Sequence, residues 1–196
     1  AVAVHPDDAR YRDLVGRLGL AGFDYELPGR ATPPGPEADP VLARALADSG
    51  LAYVPLARLD AGPISSLTPL AAGGIVLDLR ASRGGDRLAA AAMLGRVDHP
   101  VIALISARTS GWVEILADEL RAAGRGRLVG RQTAGVVVAT QARAWRAGGT
   151  LTVPVARVER SGGGGYERGV SPDVFVPEEA DPAAEAWLEA VLAARR

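Results

Sequence analysis

The sequence predicts an α/β protein whose core contains a parallel sheet. Two apolar segments, Gly74–Arg80 and Val101–Ile105, have the continuous hydrophobicity of strands that are buried on both faces. A helical pattern follows each of them, to about Arg96 and to Gly124. Because strands that alternate with helices form βαβ units, this order favours parallel pairing.

The first 50 residues are predicted to form an N-terminal helical arm and a linker. A short amphipathic helix is expected near the N-terminus, and the proline-rich segment 28–40 cannot form regular structure. Asp39 and Pro40 are residue types typical of an N-cap and a first helical position, and they predict a helix to about Ala47. We therefore expect an arm with a linker over residues 1–50 and a core over residues 51–196.

The remaining core elements follow from the hydrophobic pattern and from turn signals. We expect strands at 51–56, 127–129, 136–145 and 150–158, a short helix at 63–72 and a final helix at 182–194. The last two strands are separated by a glycine-containing turn, which predicts a hairpin. The final helix carries an apolar face, as expected of a helix that packs against a sheet.

The composition excludes several kinds of chemistry. The chain has 196 residues, a formal net charge of −1 and no cysteine, and its basic residues are all arginine. A cysteine nucleophile, a thiolate zinc site and a lysine base are therefore impossible, and a dedicated nucleic-acid surface is not expected. We expect no metal, no cofactor and no membrane segment. We expect a soluble, cytoplasmic protein. The alternative is a protein with a removed leader, because the sequence does not begin with Met. The sequence does not decide between a monomer and a homo-oligomer.

A site is predicted where two of the buried strands end. The polar turn Arg108–Gly111 lies between a strand and a helix, where unpaired N–H groups favour a carbonyl oxygen or an anion. Gly84 and Gly85 follow the other strand, and paired glycines let a ligand approach the backbone closely. On their own, these glycines also fit a simple tight turn.

Four separate segments follow one another along the chain: GIVLDLR before Gly84 and Gly85, then PVIALISARTSGWVEILADELRAAGRGRLVGRQTAG, LTVPVARV and GVSPDVFV. Together, and in this order, they resemble the core of the S41 peptidases, the C-terminal-processing or tail-specific proteases. The resemblance covers about residues 51–177. It implies a spiralled ClpP/crotonase-like α/β core, and no segment resembles a PDZ domain. The Thr133-Ala134-Gly135 segment and the last two motifs are most similar to the branch with the repeats of interphotoreceptor retinoid-binding protein.

The resemblance also implies that the catalytic pair of the family is missing. The family nucleophile, the serine before the glutamate of the turn, falls on Val113, which precedes Glu114. The lysine base falls on Val136, directly after Gly135. A valine side chain can neither attack a carbonyl nor accept a proton. The expected protein is a pseudoprotease.

The backbone part of the family's site would survive these changes. The resemblance implies an oxyanion hole formed by the N–H of Val113 and the N–H of Gly84 or Gly85. Further apolar side chains would surround it, namely Trp112, Val136 and Val137. Such a pocket suits a hydrophobic carbonyl-bearing small molecule or a peptide end. The alternative is that the valines only fill the space left by the lost pair.

Two functional classes follow. One is a non-proteolytic binding protein, and the other is an enzyme that uses the oxyanion hole for cyclisation, isomerisation or enolate stabilisation of a small metabolite. The candidate polar helpers of such an enzyme are Arg83, Asp86, Ser110 and Glu114.

Three of the four polar helpers also have a structural interpretation. Thr109 and Ser110 stand where N-caps occur, and Asp86 could cap the helix that follows it. Glu114 suits a helix N-terminus by its charge. Asp78 and Arg80 are expected to form an ion pair at a strand end rather than to act as catalysts.

Overall fold

The computed structural model describes most of the chain and divides into two compact units. The described residues are 25–26, 39–56, 59, 73–85, 87–97, 100–144, 150–160, 163–177 and 184–195. The first unit comprises residues 1–32 and 138–158, and the second comprises residues 33–137 and 159–196. The predicted boundary after residue 50 falls within the second unit. The N-terminal helix and the helix expected at 63–72 lie outside the described residues.

The secondary-structure elements follow one another in an order close to the predicted one. They are β1 (Tyr25–Glu26), α1 (Pro40–Asp48), β2 (Ala52–Pro55), β3 (Ile75–Asp78), β4 (Arg83–Gly84), α2 (Arg87–Arg96), β5 (Val101–Ile105), β6 (Ser110–Gly111), α3 (Trp112–Ala122), β7 (Gly126–Gly130), β8 (Val138–Ala144), β9 (Thr150–Arg157), β10 (Val174–Phe175) and α4 (Ala184–Ala194).

The first unit contains an antiparallel sheet of three strands in the order β1-β9-β8. The predicted hairpin of β8 and β9 is confirmed, with Val138 paired to Arg157 and Ala144 paired to Thr150. The pairing of β1 with β9 through Tyr25 and Leu151 was not predicted, because a two-residue strand has no readable periodicity.

The second unit contains the predicted parallel sheet. Its strand order is β10-β7-β5-β3-β2, and every neighbouring pair is parallel. All residues of β3 and β5 are buried, as their continuous hydrophobicity predicts. Parallel strands end at the same edge of a sheet, so the segments after β3 and β5 are brought together there.

Helices α1 and α4 cover one face of the parallel sheet. Alternate strand residues such as Ile102 and Leu104 pack in one cluster with Leu42 and Leu46 of α1 and with Trp187 of α4. Helix α3 contacts α2 and β7 and buries its own apolar side, including Leu116 and Leu120. Within the described residues, no helix is long and apolar enough to cross a lipid bilayer.

Candidate functional site

The segments after β3 and β5 meet in a short parallel ladder that the sequence did not predict. Strands β4 and β6 pair Arg83 with Ser110 and Gly84 with Gly111. Gly84, Gly85 and Gly111 all have positive φ angles, of 67°, 89° and 81°. Residues that carry a side chain rarely adopt this conformation, so glycine is favoured at this crossing of two backbones. The two turns that the sequence singled out therefore lie side by side.

Gly111, rather than Thr109 or Ser110, is the N-cap of α3. The predicted capping role of these two hydroxyls is wrong. Thr109 is fully buried, and its hydroxyl donates to the Leu79 carbonyl at 2.8 Å and accepts from the Ser106 N–H at 3.0 Å. It joins the ends of β3 and β5 because both strands leave backbone groups unpaired there.

Glu114 connects the start of α3 to the turn after β7. Its side chain is 0% exposed, and its carboxylate accepts four hydrogen bonds. The donors are the N–H groups of Gly111 at 3.1 Å, Gly135 at 2.8 Å and Val136 at 3.0 Å, and the hydroxyl of Thr133. The predicted place of Glu114 at the helix N-terminus is confirmed, but three of its four bonds reach another segment. A carboxylate has about four acceptor positions, so all of them are occupied.

The turn after β7 is also held from its other side. Thr133 and Val170 exchange two bonds, from the Thr133 N–H to the Val170 carbonyl at 3.1 Å and from the Val170 N–H to the Thr133 hydroxyl at 2.7 Å. A β-carbon at Gly135 would lie 2.7 Å from the Glu167 carbonyl oxygen. The backbone around Val136 is therefore fixed between Glu114 and the segment 166–170.

The predicted site residues differ in their accessibility. Gly84, Gly85, Ser110, Trp112 and Val136 are partly exposed, and Arg83 is exposed. Val113 and Val137 are buried, with exposed fractions of 0% and 6%. Their contribution to a ligand pocket stays a prediction, and a ligand at the surface would meet the partly exposed residues first. Asp86 lies outside the described residues.

A buried polar cluster lies where β3 ends. The Arg80 guanidinium pairs with the Asp78 carboxylate at 2.6 Å, which confirms the predicted ion pair. The Tyr53 hydroxyl donates to Asp78 at 2.6 Å, and Arg80 also lies over the Trp187 ring at 4.7 Å. Burial, followed by the hydrogen bond to Asp78, raises the pKa of Tyr53 to about 12. Asp39, at 3.6 Å from Arg80, links the cluster to the start of α1.

A second aromatic cluster supports the segment 166–170 against α3. Tyr166 is buried, and burial, followed by the nearby carboxylates of Asp118 and Glu119, raises the pKa of its hydroxyl. The Arg160 guanidinium lies 4.7 Å from the Tyr166 ring and donates to the Gly169 carbonyl at 2.7 Å. No sequence signal pointed to Tyr53, Trp187 or Tyr166 as cluster members, because their partners are distant in the chain.

The described part of the candidate site was compared with the side-chain groups that bind metal ions. Over the residues that the structure describes, no three histidine or carboxylate side chains come together as metal ligands would.

Comparisons with known proteins agree with this architecture. Residues 94–176 match the model of peptidase family S41. The sequence has no significant match among curated proteins.

Many solved structures are similar to this chain, and three of them serve as examples. The photosystem II D1 C-terminal processing protease is 24% identical, with a TM-score of 0.55 over 71% of this chain and 46% of that chain. The tricorn protease is 19% identical, with a TM-score of 0.65 over 81% of this chain and 19% of that chain. Mature CPAF, in complex with lactacystin, is 12% identical, with a TM-score of 0.52 over 74% of this chain and 50% of that chain.

The chain therefore has the α/β fold of the S41 peptidases, as its sequence predicts. It spans half or less of the length of each of these three structures. The assignment to one branch of the family, and the lack of a PDZ domain, stay predictions.

Proposed function

We propose that this protein is an S41 peptidase-like protein that lacks the serine–lysine pair and binds a hydrophobic, carbonyl-bearing small molecule or peptide end. The observation that carries the proposal is the Glu114 network. It holds the start of α3 and the turn with Val136 in one fixed arrangement, although neither Val113 nor Val136 can react. An ordered backbone around unreactive side chains is suited to binding.

The accessible donor of the proposed site is the N–H of Gly85. The Ser110 N–H donates to the Ser82 carbonyl at 3.1 Å, and in a parallel ladder of this register the next bond engages the Gly84 N–H. Gly85 follows the ladder, and its N–H makes no hydrogen bond to any described residue, so it can donate to a ligand. The first amides of α3 have no acceptor within the helix, but Val113 is fully buried, so its N–H is the less accessible partner.

The apolar part of the proposed site consists of Trp112 and Val136. Both are partly exposed, and they belong to the two segments that Glu114 holds together. An aromatic and an aliphatic side chain beside a fixed N–H donor can bury an apolar body while the donor orients its carbonyl.

A second candidate function is non-proteolytic catalysis, and the state of Ser110 favours it. The Ser110 hydroxyl is partly exposed and makes no hydrogen bond to any residue that the structure describes. It could therefore exchange a proton with a bound metabolite. Glu114 is a poor base for such a reaction, because all four of its acceptor positions are occupied.

The proteolytic alternative is tested with a fluorophosphonate probe. We expect no labelling of the purified protein, because the position of the family nucleophile holds a valine. Stoichiometric labelling, mapped by mass spectrometry to Ser110 or another serine, would show that the protein is a serine hydrolase.

The binding site is tested with Gly84→Ala, and Gly124→Ala is the matched control. The two glycines have φ angles of 67° and 66°, and a β-carbon at either one has no neighbour within 4 Å. Both variants should carry the same backbone cost of about 1 kcal/mol. Only the methyl group at position 84 would stand beside the proposed donor.

The readout is a ligand-observed NMR titration with methyl octanoate, a neutral apolar ester. We expect Gly84→Ala to weaken its binding by about tenfold or more, while Gly124→Ala leaves binding within about a factor of two. Equal binding by both variants would place the ligand elsewhere, and no binding by the parent protein to any apolar carbonyl compound would refute the proposed function.

A further inference from the structure

Arg83 and Ser110 stand opposite each other at the rim of the proposed site. They are paired in the β4–β6 ladder, directly before the Gly84–Gly111 pair. Residues paired in neighbouring strands lie about 5 Å apart and project to the same side of the ladder. A guanidinium and a hydroxyl can therefore reach one group bound beside Gly84 and Gly85.

Neither side chain has a partner among the residues that the structure describes. Arg83 is exposed and Ser110 is partly exposed, and neither side chain forms a hydrogen bond or an ion pair with any described residue. A guanidinium offers five donors in a planar fork that matches two carboxylate oxygens, and a hydroxyl offers one more donor. Both groups are free to bind a ligand.

The charges of the described residues around the ladder favour an anion. Arg108, two residues before β6, is a second exposed arginine. The carboxylate of Glu114 is buried and already receives four hydrogen bonds, so it does not neutralise the exposed arginines by direct contact. Asp86, next to Gly85, and Asp60, next to Leu59, lie outside the described residues.

We infer that the ligand of this site is a hydrophobic carboxylate. Its two oxygens accept from the N–H of Gly85 and from the side chains of Arg83 and Ser110, and its apolar body lies on Trp112 and Val136. The inference rests on the proposed function, since it assigns the ligand class of the same site. A carboxylate differs from a neutral carbonyl by a second oxygen and a negative charge, and Arg83 is the group that would recognise this difference. A free aliphatic acid and the end of a peptide share this chemistry.

The experiment compares matched acids and neutral derivatives on the full chain. The probes are octanoate with methyl octanoate, and acetyl-Ala-Val-Leu with its C-terminal amide. The variants are Arg83→Gln, Arg83→Lys and the control Arg44→Gln, an exposed arginine of α1 whose side chain has no partner among the described residues. Affinities come from ligand-observed NMR titrations at low and high salt.

We expect at least one acid to bind about tenfold or more tightly than its neutral derivative, and Arg83→Gln to abolish that preference. Arg83→Lys should keep part of it, Arg44→Gln should keep all of it, and added salt should weaken it. Preference for octanoate identifies a free acid as the source, and preference for the peptide acid identifies a peptide end.

Two results would overturn the inference, and they differ in what they say about the proposed function. If the acids and their neutral derivatives bind equally and Arg83→Gln changes nothing, the carboxylate assignment is wrong while a neutral carbonyl ligand remains supported. If none of the four probes binds, the proposed function fails together with the inference.

Discussion

Glu114 shows how one buried side chain can hold two segments that are distant in the sequence. In the sequence it looks like an ordinary acidic residue in the first turn of a helix. In the structure it accepts hydrogen bonds from two segments that are separated by the whole of α3 and β7. Because each of its bonds satisfies a backbone or hydroxyl donor in the interior, removal of the carboxylate leaves several donors unpaired at once.

We predict that Glu114→Ala lowers the free energy of unfolding by about 3 kcal/mol or more, measured by urea denaturation. Glu114→Gln should lower the free energy of unfolding by less than Glu114→Ala, because the amide oxygen still accepts two of the hydrogen bonds. It should still destabilise the protein, because the amide NH2 group cannot accept the other two. The control is Glu185→Ala, an exposed first-turn glutamate of α4, which should change stability by less than about 0.5 kcal/mol. A loss at Glu114 no larger than the loss at Glu185 would contradict the assigned role.

The glycines of the ladder also act at the scale of single residues. A β-carbon at Gly85 would lie 2.6 Å from the Leu59 β-carbon, whereas one at Gly84 meets open space. We predict that Gly85→Ala destabilises the protein by about 1 kcal/mol more than Gly84→Ala does, since a packing clash adds to the same backbone cost. Equal midpoints of thermal unfolding for the two variants would show that Leu59 moves aside freely.

At the scale of elements, local signals predicted α1 well. Asp39 is its N-cap and accepts the Leu42 N–H at 3.0 Å, and Pro40 opens the helix, as the residue types indicate. We predict that Asp39→Ala costs about 1 kcal/mol of unfolding free energy. Asp39→Asn keeps a capping side chain and loses only the ion pair with Arg80, whose charged atoms lie 3.6 Å apart. It should therefore lower the unfolding free energy by only about 0.3 kcal/mol. If the two variants cost the same, the ion pair rather than the cap holds the helix start.

The elements that the sequence did not predict are those that depend on distant partners. The hydrophobic pattern predicts strand β5, and the capping residues predict helix α1. Both signals lie within the element itself. The ladder of β4 with β6 and the edge strand β10 involve two-residue strands, and pairing with a neighbour rather than their own composition makes them strands. The capping prediction for Thr109 failed for the same reason, because its hydroxyl donates to the Leu79 carbonyl at the end of another strand.

The candidate site was predictable to the same degree. The two glycine-containing turns could be located because both follow buried strands and because parallel strands end at one edge. Their direct pairing, the four bonds of Glu114 and the burial of Val113 could not be predicted from the sequence. These features depend on how α3 packs and on where the turn at 133–136 returns to it.

At the scale of the whole molecule, the partly buried Tyr53 couples stability to alkaline pH. The pKa of Tyr53 is about 12 in the folded protein, whereas the pKa of a tyrosine in the unfolded chain is about 10. Above about pH 10 the unfolded chain therefore releases protons that the folded protein retains, and the free energy of unfolding falls until about pH 12. Urea denaturation across this range should show the fall.

Tyr53→Phe provides the control for this prediction. The variant loses the bond to Asp78 and should be less stable at neutral pH by about 1 kcal/mol, but its stability should fall less steeply above about pH 10. An unchanged slope would mean that Tyr53 does not contribute to the alkaline loss.

Introducing a serine at position 113 and a lysine at position 136, where the resemblance to the S41 peptidases places the catalytic pair, tests whether the molecule as a whole can support proteolysis. Val113 is fully buried, so a serine at this position would leave a cavity and bury its hydroxyl away from any substrate. A lysine at position 136 would stand on a partly exposed turn whose backbone is tied to Glu114, without the surroundings that lower the pKa of a catalytic lysine.

We predict that Val113→Ser with Val136→Lys shows no fluorophosphonate labelling and loses about 2 kcal/mol of stability, mostly through the change at position 113. Val136→Lys alone should be nearly as stable as the parent protein, because its side chain can extend into solvent. Mass spectrometry locates any label, and urea denaturation measures the loss of stability. Stoichiometric labelling of the introduced serine would show that the side chain at position 113 can reach the surface, and the proposed binding surface would then have to include it.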